Sequence, residues 1–311
     1  MPRLYDRSVR MNGLIKLEYS MFIMIAVGFL LVKRKVINEA GEKAITDLVL
    51  SIVLPCNVFC SFLTEDIENM AEDCFWILAI SIGVQVIALL YTRFAFHVQN
   101  KKQKCNLSYA MISPNTGFLG SPIAEGVFGA TGLMLTCIYL IPQRLMMWSV
   151  GLSMYSGIND KRAAFRKLIT HPCVIACLLG LLFMIFRIPF PDWLLSPIKM
   201  IGKCNIALSM LVIGMIVSRV NLEALTSRTV ILFSIHRLIV VPAILFLVCS
   251  FLPVSKTVFG VSVLLAAMPA GATTSMLASK YDKDPVFAAE LVVFSTICSI
   301  PAIMVWMLLV S

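Results

Sequence analysis

Two short stretches hold the residues most able to do chemistry. The first is Ser-Pro-Asn-Thr-Gly-Phe-Leu-Gly-Ser-Pro, residues 113–122. The second is Ala-Ala-Met-Pro-Ala-Gly-Ala-Thr-Thr-Ser, residues 266–275. Pro114 and Pro269 each lack a backbone donor and crowd the preceding helical turn. Gly117 and Gly271 permit unwound backbone. Each stretch therefore frees peptide N–H and C=O groups for a ligand. Around them, the Asn115 amide both donates and accepts, and Thr116, Thr273 and Thr274 supply hydroxyls. Two further groups belong to the same inventory. Arg144 carries a guanidinium that can grip a carboxylate bidentately, and Asn57 follows Pro55 as a second polar break. Catalytic patterns are missing: the sequence has no HExxH, no GxxxxGK[ST] and no CxxC. Cys56/Cys60 and Cys173/Cys177 have helix-face spacing but no His or carboxylate beside them, so no metal site and no cofactor are expected.

The elements that position these groups follow from composition. Of 311 residues, 59% are hydrophobic and 14% charged. Soluble domains are about 45–50% apolar and about 25% charged, so a water-soluble enzyme is excluded, as is disorder. The apolar runs are too long and continuous for barrel strands and fit helices of roughly 20 residues each. Ten spans are expected, near 14–33, 44–63, 75–97, 106–128, 131–155, 170–188, 194–218, 229–252, 256–279 and 286–310. The chain is thus read as an all-α polytopic membrane protein with the lipid bilayer as its surroundings. The ten cysteines lie mostly in apolar runs, where a free thiol packs as a small hydrophobe. The first run lacks a small-residue cleavage site.

The net charge of +9 reflects cytoplasmic loops rather than nucleic acid, since no nucleic-acid motif occurs. Loops after odd-numbered spans hold sixteen Lys and Arg, the opposite side eight. The first side is expected to be cytoplasmic, with both termini outside. The acidic loop Glu65, Asp66, Glu68, Glu72 and Asp73 agrees, whereas the basic N-terminus (Arg3, Arg7, Arg10, Lys16) opposes it.

Pro114 and Pro269 lie 155 residues apart, half the chain. Five spans per half is an odd number, so the second half enters from the opposite side. The expected organisation is a first five-helix repeat over 1–156, a short cytoplasmic link over 157–167 and a second repeat over 168–311. Proline- and glycine-interrupted spans at matching positions of inverted halves point to a transport site. Two half-helix N-termini would favour an anion, while the opposite ends equally suit a cation.

The motif Pro114-Asn115-Thr116, then Gly120 and Pro122, resembles the fourth-helix motif of the auxin efflux carrier family. Ala266-Ala267-Met268-Pro269-Ala270-Gly271, followed by Ala278-Ser279-Lys280-Tyr281 and Asp284-Pro285, resembles its ninth helix and exit. Arg237-Leu238 with Pro242, and Gln143 with Trp148, also fit. The resemblance covers the whole chain and includes plant PIN auxin exporters and bacterial permeases for malate or malonate. It implies ten helices with broken, crossing helices 4 and 9. It further implies a scaffold of helices 1, 2, 6 and 7, a mobile unit of helices 3–5 and 8–10, elevator-like alternating access and a homodimer. By resemblance, Asn115 contacts the substrate carboxylate, and Pro114 and Pro269 form the crossover. The plant exporters have a long hydrophilic loop between halves; the short link here fits a bacterial-type permease.

The expected function is therefore secondary transport of a small organic anion, without enzymatic activity. A sodium- or proton-coupled symporter of the same fold, of the bile-acid type, is the alternative within transport. A membrane sensor is a third reading, weakened by the lack of an output domain. Substrate contacts are expected from Asn115, Pro114, Thr116, Gly117, Pro269, Gly271, Thr273, Thr274, Arg144 and Asn57. Arg237 is expected nearer the cytoplasmic end, able to extend outward, with His236 packed beside it. Glu290 begins the last span, Glu18 and Glu125 read as interfacial, and the Asn106 glycosylation sequon is dismissed beside a cytoplasmic lysine cluster.

Overall fold

The computed structural model describes residues 19–63 (Phe22 aside), 70–95, 100–157, 162, 165–166, 169–218 and 227–310. Arg3, Arg7, Arg10, Lys16, Glu18, the acids Glu65, Asp66 and Glu68, and most of the link between the halves lie outside them. All regular structure among the described residues is helical, apart from one isolated β-bridge. Among the described residues, six helices are long and apolar enough to cross a membrane: Glu39–Leu63, Met70–Arg93, Thr116–Ser156, Asp192–Val217, Arg228–Ser250 and Pro285–Val310. Tyr19–Lys33, Pro172–Ile185 and Lys256–Ala266 are shorter apolar helices.

Thr116–Ser156 runs for 41 residues. Unbroken, it would be about 60 Å long, twice a hydrocarbon core. Gly129 divides it, with φ 68° and ψ −156°, a conformation essentially reserved for glycine. The reversal separates a half-helix over 116–128 from a helix over 130–156.

Three described helices carry a π turn just before an internal proline, Thr116–Gly120 preceding Pro122 among them. Val49–Val53 precedes Pro55, and His236–Val240 precedes Pro242. The sequence suggested a break at Pro55; instead the Glu39–Leu63 helix passes through it, because the wider turn absorbs the missing donor. The carbonyl of Leu238, in the His236–Val240 π turn, accepts from the Trp306 indole at 2.8 Å. The span expected over 194–218 is interrupted by a turn at Lys203–Cys204 between Asp192–Gly202 and Asn205–Val217.

Burial is partly inverted relative to a soluble protein. Large apolar side chains face outward, among them Trp193, Phe251, Phe186 and Leu247, while Arg237, Arg144, Asn106, Asn205 and Gln143 are buried. Such a surface suits lipid, and the buried polar groups must find partners inside.

Four helices pack at backbone distance. A Cβ on Gly28 would strike the Leu211 carbonyl, and one on Gly214 would strike the Ile25 carbonyl, locking Tyr19–Lys33 onto Asn205–Val217. A Cβ on Gly180 would lie 2.7 Å from the Phe62 ring, and one on Gly202 would lie 2.9 Å from the Asn57 backbone. Small residues at such contacts gain van der Waals packing that lipid cannot supply. Helices 19–33, 54–63, 172–185 and 192–217 thus form one closely packed body.

Candidate functional site at the paired helix breaks

The two proline-containing stretches meet. The helix Lys101–Ile112 ends at Ser113, and the half-helix restarts at Thr116. Lys256–Ala266 ends at Ala267, and a helix restarts at Thr273. Between these ends, Pro114 and Ala270 form an antiparallel bridge. The Asn115 N–H donates to the Pro269 carbonyl at 2.8 Å, and the Gly271 N–H donates to the Ser113 carbonyl at 3.0 Å. Each break thereby satisfies groups that the other frees.

Neighbouring side chains take the rest. Gln143 Nε2 donates to the Pro114 carbonyl at 2.8 Å, and the Ala270 N–H donates to Ser295 Oγ at 3.1 Å. The Ser113 and Thr273 hydroxyls pair at 3.2 Å. Arg237 is 1% exposed. Its Nε donates to the Met268 carbonyl at 2.9 Å and its Nη1 to the Met111 carbonyl at 3.5 Å. Arg237 therefore does not extend outward as its position suggested; the carbonyls of both broken helices draw its guanidinium inward. The adjacent His236 meets Tyr91 edge-on at 5.6 Å.

Several polar groups here keep no partner. The Asn115 side chain makes no cap to the half-helix it begins, and no other bond among the described residues. The half-helix is instead held by its backbone carbonyl, which accepts from Leu119 at 3.1 Å and Gly120 at 3.2 Å. Thr116 Oγ1, Gln143 Oε1 and Thr274 Oγ1 are buried and unpaired among the described residues. A group buried without a partner costs about 1–3 kcal/mol, so these atoms stand out beside the paired breaks. Arg144 lies beside it: one guanidinium nitrogen is 3.7 Å from the Cβ position of Gly117. Arg144 is 8% exposed and has no carboxylate partner among the described residues. The Cys173 and Cys177 thiols lie within its electrostatic reach.

The structure thus brings together Pro114, Asn115, Thr116, Gly117, Pro269, Gly271, Thr273, Thr274 and Arg144. Asn57 stands apart, its amide donating to Glu125 Oε2 at 2.6 Å. Glu125, read as interfacial, is instead half-buried and held by side chains of other helices, because the half-helix carrying it packs inward. Asn106 is fully buried and also unforeseen. Its Nδ2 donates to the carbonyls of Lys283 at 2.7 Å and Asp284 at 3.0 Å, and its Oδ1 accepts from Tyr155 at 2.7 Å. It anchors the Lys101–Ile112 helix to the exit of the second break. A small apolar cavity of about 70 Å³ lies where the half-helix (Leu119, Ile123), Asn205–Val217 (Met210, Ile213) and Pro285–Val310 (Ser299, Ile303) meet.

A membrane-embedded helical chain with two paired helix breaks and unfilled polar groups has the features of a transporter. The chain matches the membrane transport protein family over residues 19–165 and 159–307 and belongs to it. It is 23% identical over 295 residues to an uncharacterized transporter of Methanothermobacter thermautotrophicus, covering 92% of this chain and 95% of that one. It is 22% identical over 294 residues to an uncharacterized transporter of Methanocaldococcus jannaschii, covering 91% and 94%. It is also 23% identical over 153 residues to auxin efflux carrier component 8 of Arabidopsis thaliana, covering 48% of this chain and 42% of the plant protein. The protein is a multi-pass membrane transporter, not an enzyme.

Proposed function

We propose that this transporter moves a small organic carboxylate by alternating access around the paired breaks. The observation that carries this reading is the set of unpaired polar groups at the crossover: the Asn115 amide, Thr116 Oγ1 and Gln143 Oε1. The Asn115 amide N–H and the Thr116 hydroxyl can donate to an anion, the Arg144 guanidinium beside Gly117 adds a positive charge, and Gln143 Oε1 can accept from a hydroxyl or a protonated oxygen of the ligand. The half-helix start at Thr116 adds its partial positive charge.

In this reading the chain has ten membrane helices in two inverted halves of five, with helices 4 and 9 broken and crossing. Support comes from Gly129, which folds the longest helix into two, and from the reciprocal bonds between residues 113–115 and 269–271. The closely packed body of helices 19–33, 54–63, 172–185 and 192–217 is the scaffold, and the remaining helices carry the crossover across the membrane. The excess of Lys and Arg in the loops after odd-numbered spans supports a cytoplasmic side for those loops and an outer side for both termini of a cell-membrane protein. Two copies pair through the scaffold, as the family resemblance suggests.

Uptake by reconstituted protein tests the function. Labelled malate, malonate and indole-3-acetate are offered to proteoliposomes, with and without sodium or proton gradients. Saturable uptake of one acid is expected, and its loss in Asn115→Ala. No uptake of any of them would overturn the carboxylate assignment.

A further inference from the structure

A second polar cluster lies away from the crossover, on the same half-helix. Glu125 sits four residues before Gly129, about one turn from the reversal. Its Oε2 accepts from Asn57 Nδ2 at 2.6 Å and from Asn205 Nδ2 at 3.4 Å. Ser209 Oγ donates to Asn205 Oδ1 at 3.3 Å, which orients that amide toward the carboxylate. Asn205 and Ser209 are each 1% exposed. Oε1 has no donor among the described residues.

The two amides belong to one body and the carboxylate to another. Gly202 presses the turn before Asn205 against the Asn57 backbone, so Asn57 and Asn205 are held together. Between Asn205–Val217 and the half-helix, by contrast, lies the apolar cavity bounded by Met210, Ile213, Leu119 and Ile123. The half-helix also buries Leu119, Ile123 and Ala124 in an apolar cluster with Met210 and Ile213, and Glu125 supplies its polar contact to Asn57 and Asn205.

The charges around Glu125 are few. Asn205–Val217 carries no ionisable side chain, and the 54–63 helix carries only Cys56 and Cys60. On Glu125's own folded helix, Cys137 lies within electrostatic reach of both Glu125 and Arg144. Lys199 acts on Cys60 from the preceding helix. No cation pairs with Glu125 among the described residues.

We propose that Glu125 is a proton-binding site that couples transport to proton movement. This rests on the reading that the half-helix moves against the scaffold during transport. While the half-helix is docked, two amide N–H groups donate to Glu125 and favour its carboxylate form. When it undocks, both donors are lost, and an unpartnered carboxylate between apolar helices is too costly to keep. It takes a proton from hydronium in the adjoining aqueous phase, one hydronium O–H bond breaking as one carboxyl O–H bond forms and neutral water being left, and it returns that proton to water as hydronium when Asn57 and Asn205 re-engage.

The test uses full-length reconstituted protein in two measurements. Infrared difference spectra between acidic and alkaline buffer are expected to show a protonated carboxylic-acid band that Glu125→Gln removes. This readout needs no substrate, so it stands whether or not the carboxylate reading does. Proteoliposomes with the membrane potential clamped then take up labelled malate, malonate and indole-3-acetate. In wild type, a gradient of one pH unit is expected to drive roughly tenfold accumulation for one proton per substrate. Glu125→Gln is expected to keep counterflow exchange and lose the response to the gradient. Its amide oxygen still accepts from Asn57, and a melting curve confirms folding. A band unchanged in Glu125→Gln, a gradient response that survives the substitution, or uptake driven by sodium instead of protons would each overturn the proposal. If no acid is taken up, the carboxylate reading fails and the infrared band alone decides the proton site.

Discussion

The backbone N–H of Asn115 donates to the carbonyl of Pro269 at 2.8 Å, so two residues half a chain apart close each other's helix breaks. The bond uses only the Asn115 backbone. Its side-chain amide remains unpaired among the described residues. Scaffold and ligand duties are therefore separable at this residue.

Asn115→Ala keeps the backbone bond and removes the amide. The variant is expected to melt within a degree or so of wild type, because the lost side chain had no protein partner. Uptake of the transported acid is expected to fall about tenfold or more, the equivalent of one hydrogen bond to a charged group. Melting curves and initial uptake rates on the same preparation check both parts.

The two buried arginines are expected to behave oppositely. Arg237→Ala strands the carbonyls of Met268 and Met111 and leaves a void. The expected cost is about 3 kcal/mol, read as a marked drop in thermal stability in detergent. Arg144→Gln removes a charge with no carboxylate partner among the described residues. It is expected to leave stability nearly unchanged and to lower uptake about tenfold or more. Equal destabilisation of both variants would contradict this division.

Gly129→Ala forces a Cβ into a conformation with φ 68° and ψ −156°. The expected cost is about 1–3 kcal/mol, measured by denaturation in mild detergent. An unchanged melting curve would mean that the chain does not reverse at Gly129.

Gly214→Leu places a side chain into the Ile25 carbonyl. Tyr19–Lys33 must then separate from Asn205–Val217, and the protein is expected to lose its folded, monodisperse form on size exclusion. Gly83 has nothing within reach of an added Cβ, so Gly83→Ala is the matched control and is expected to elute as wild type.

The paired breaks were legible in the sequence because proline and glycine amid small polar residues are unusual at mid-span, and because Pro114 and Pro269 stand half a chain apart. Gly129 fell between two expected spans, but glycine alone does not reveal a positive φ. The arginines show the limit more sharply. Sequence placed Arg144 and Arg237 inside spans, which fixes their depth, yet only packing decides that Arg237 clamps two carbonyls. Glu125 was misjudged for a related reason. Near the end of an apolar run a carboxylate resembles an interfacial residue, and its partners Asn57 and Asn205 are 68 and 80 positions away. No local pattern joins residues at such separations.

Direct binding tests the central claim that the crossover holds a carboxylate through Asn115. Equilibrium binding of the labelled acid that wild type transports is measured on detergent-purified wild type and Asn115→Ala, with folding verified for each. Saturable wild-type binding that weakens at least about tenfold in Asn115→Ala, a loss of about 1.4 kcal/mol, is the expected result. Equal affinity in the two proteins would contradict the account and move the site away from the paired breaks.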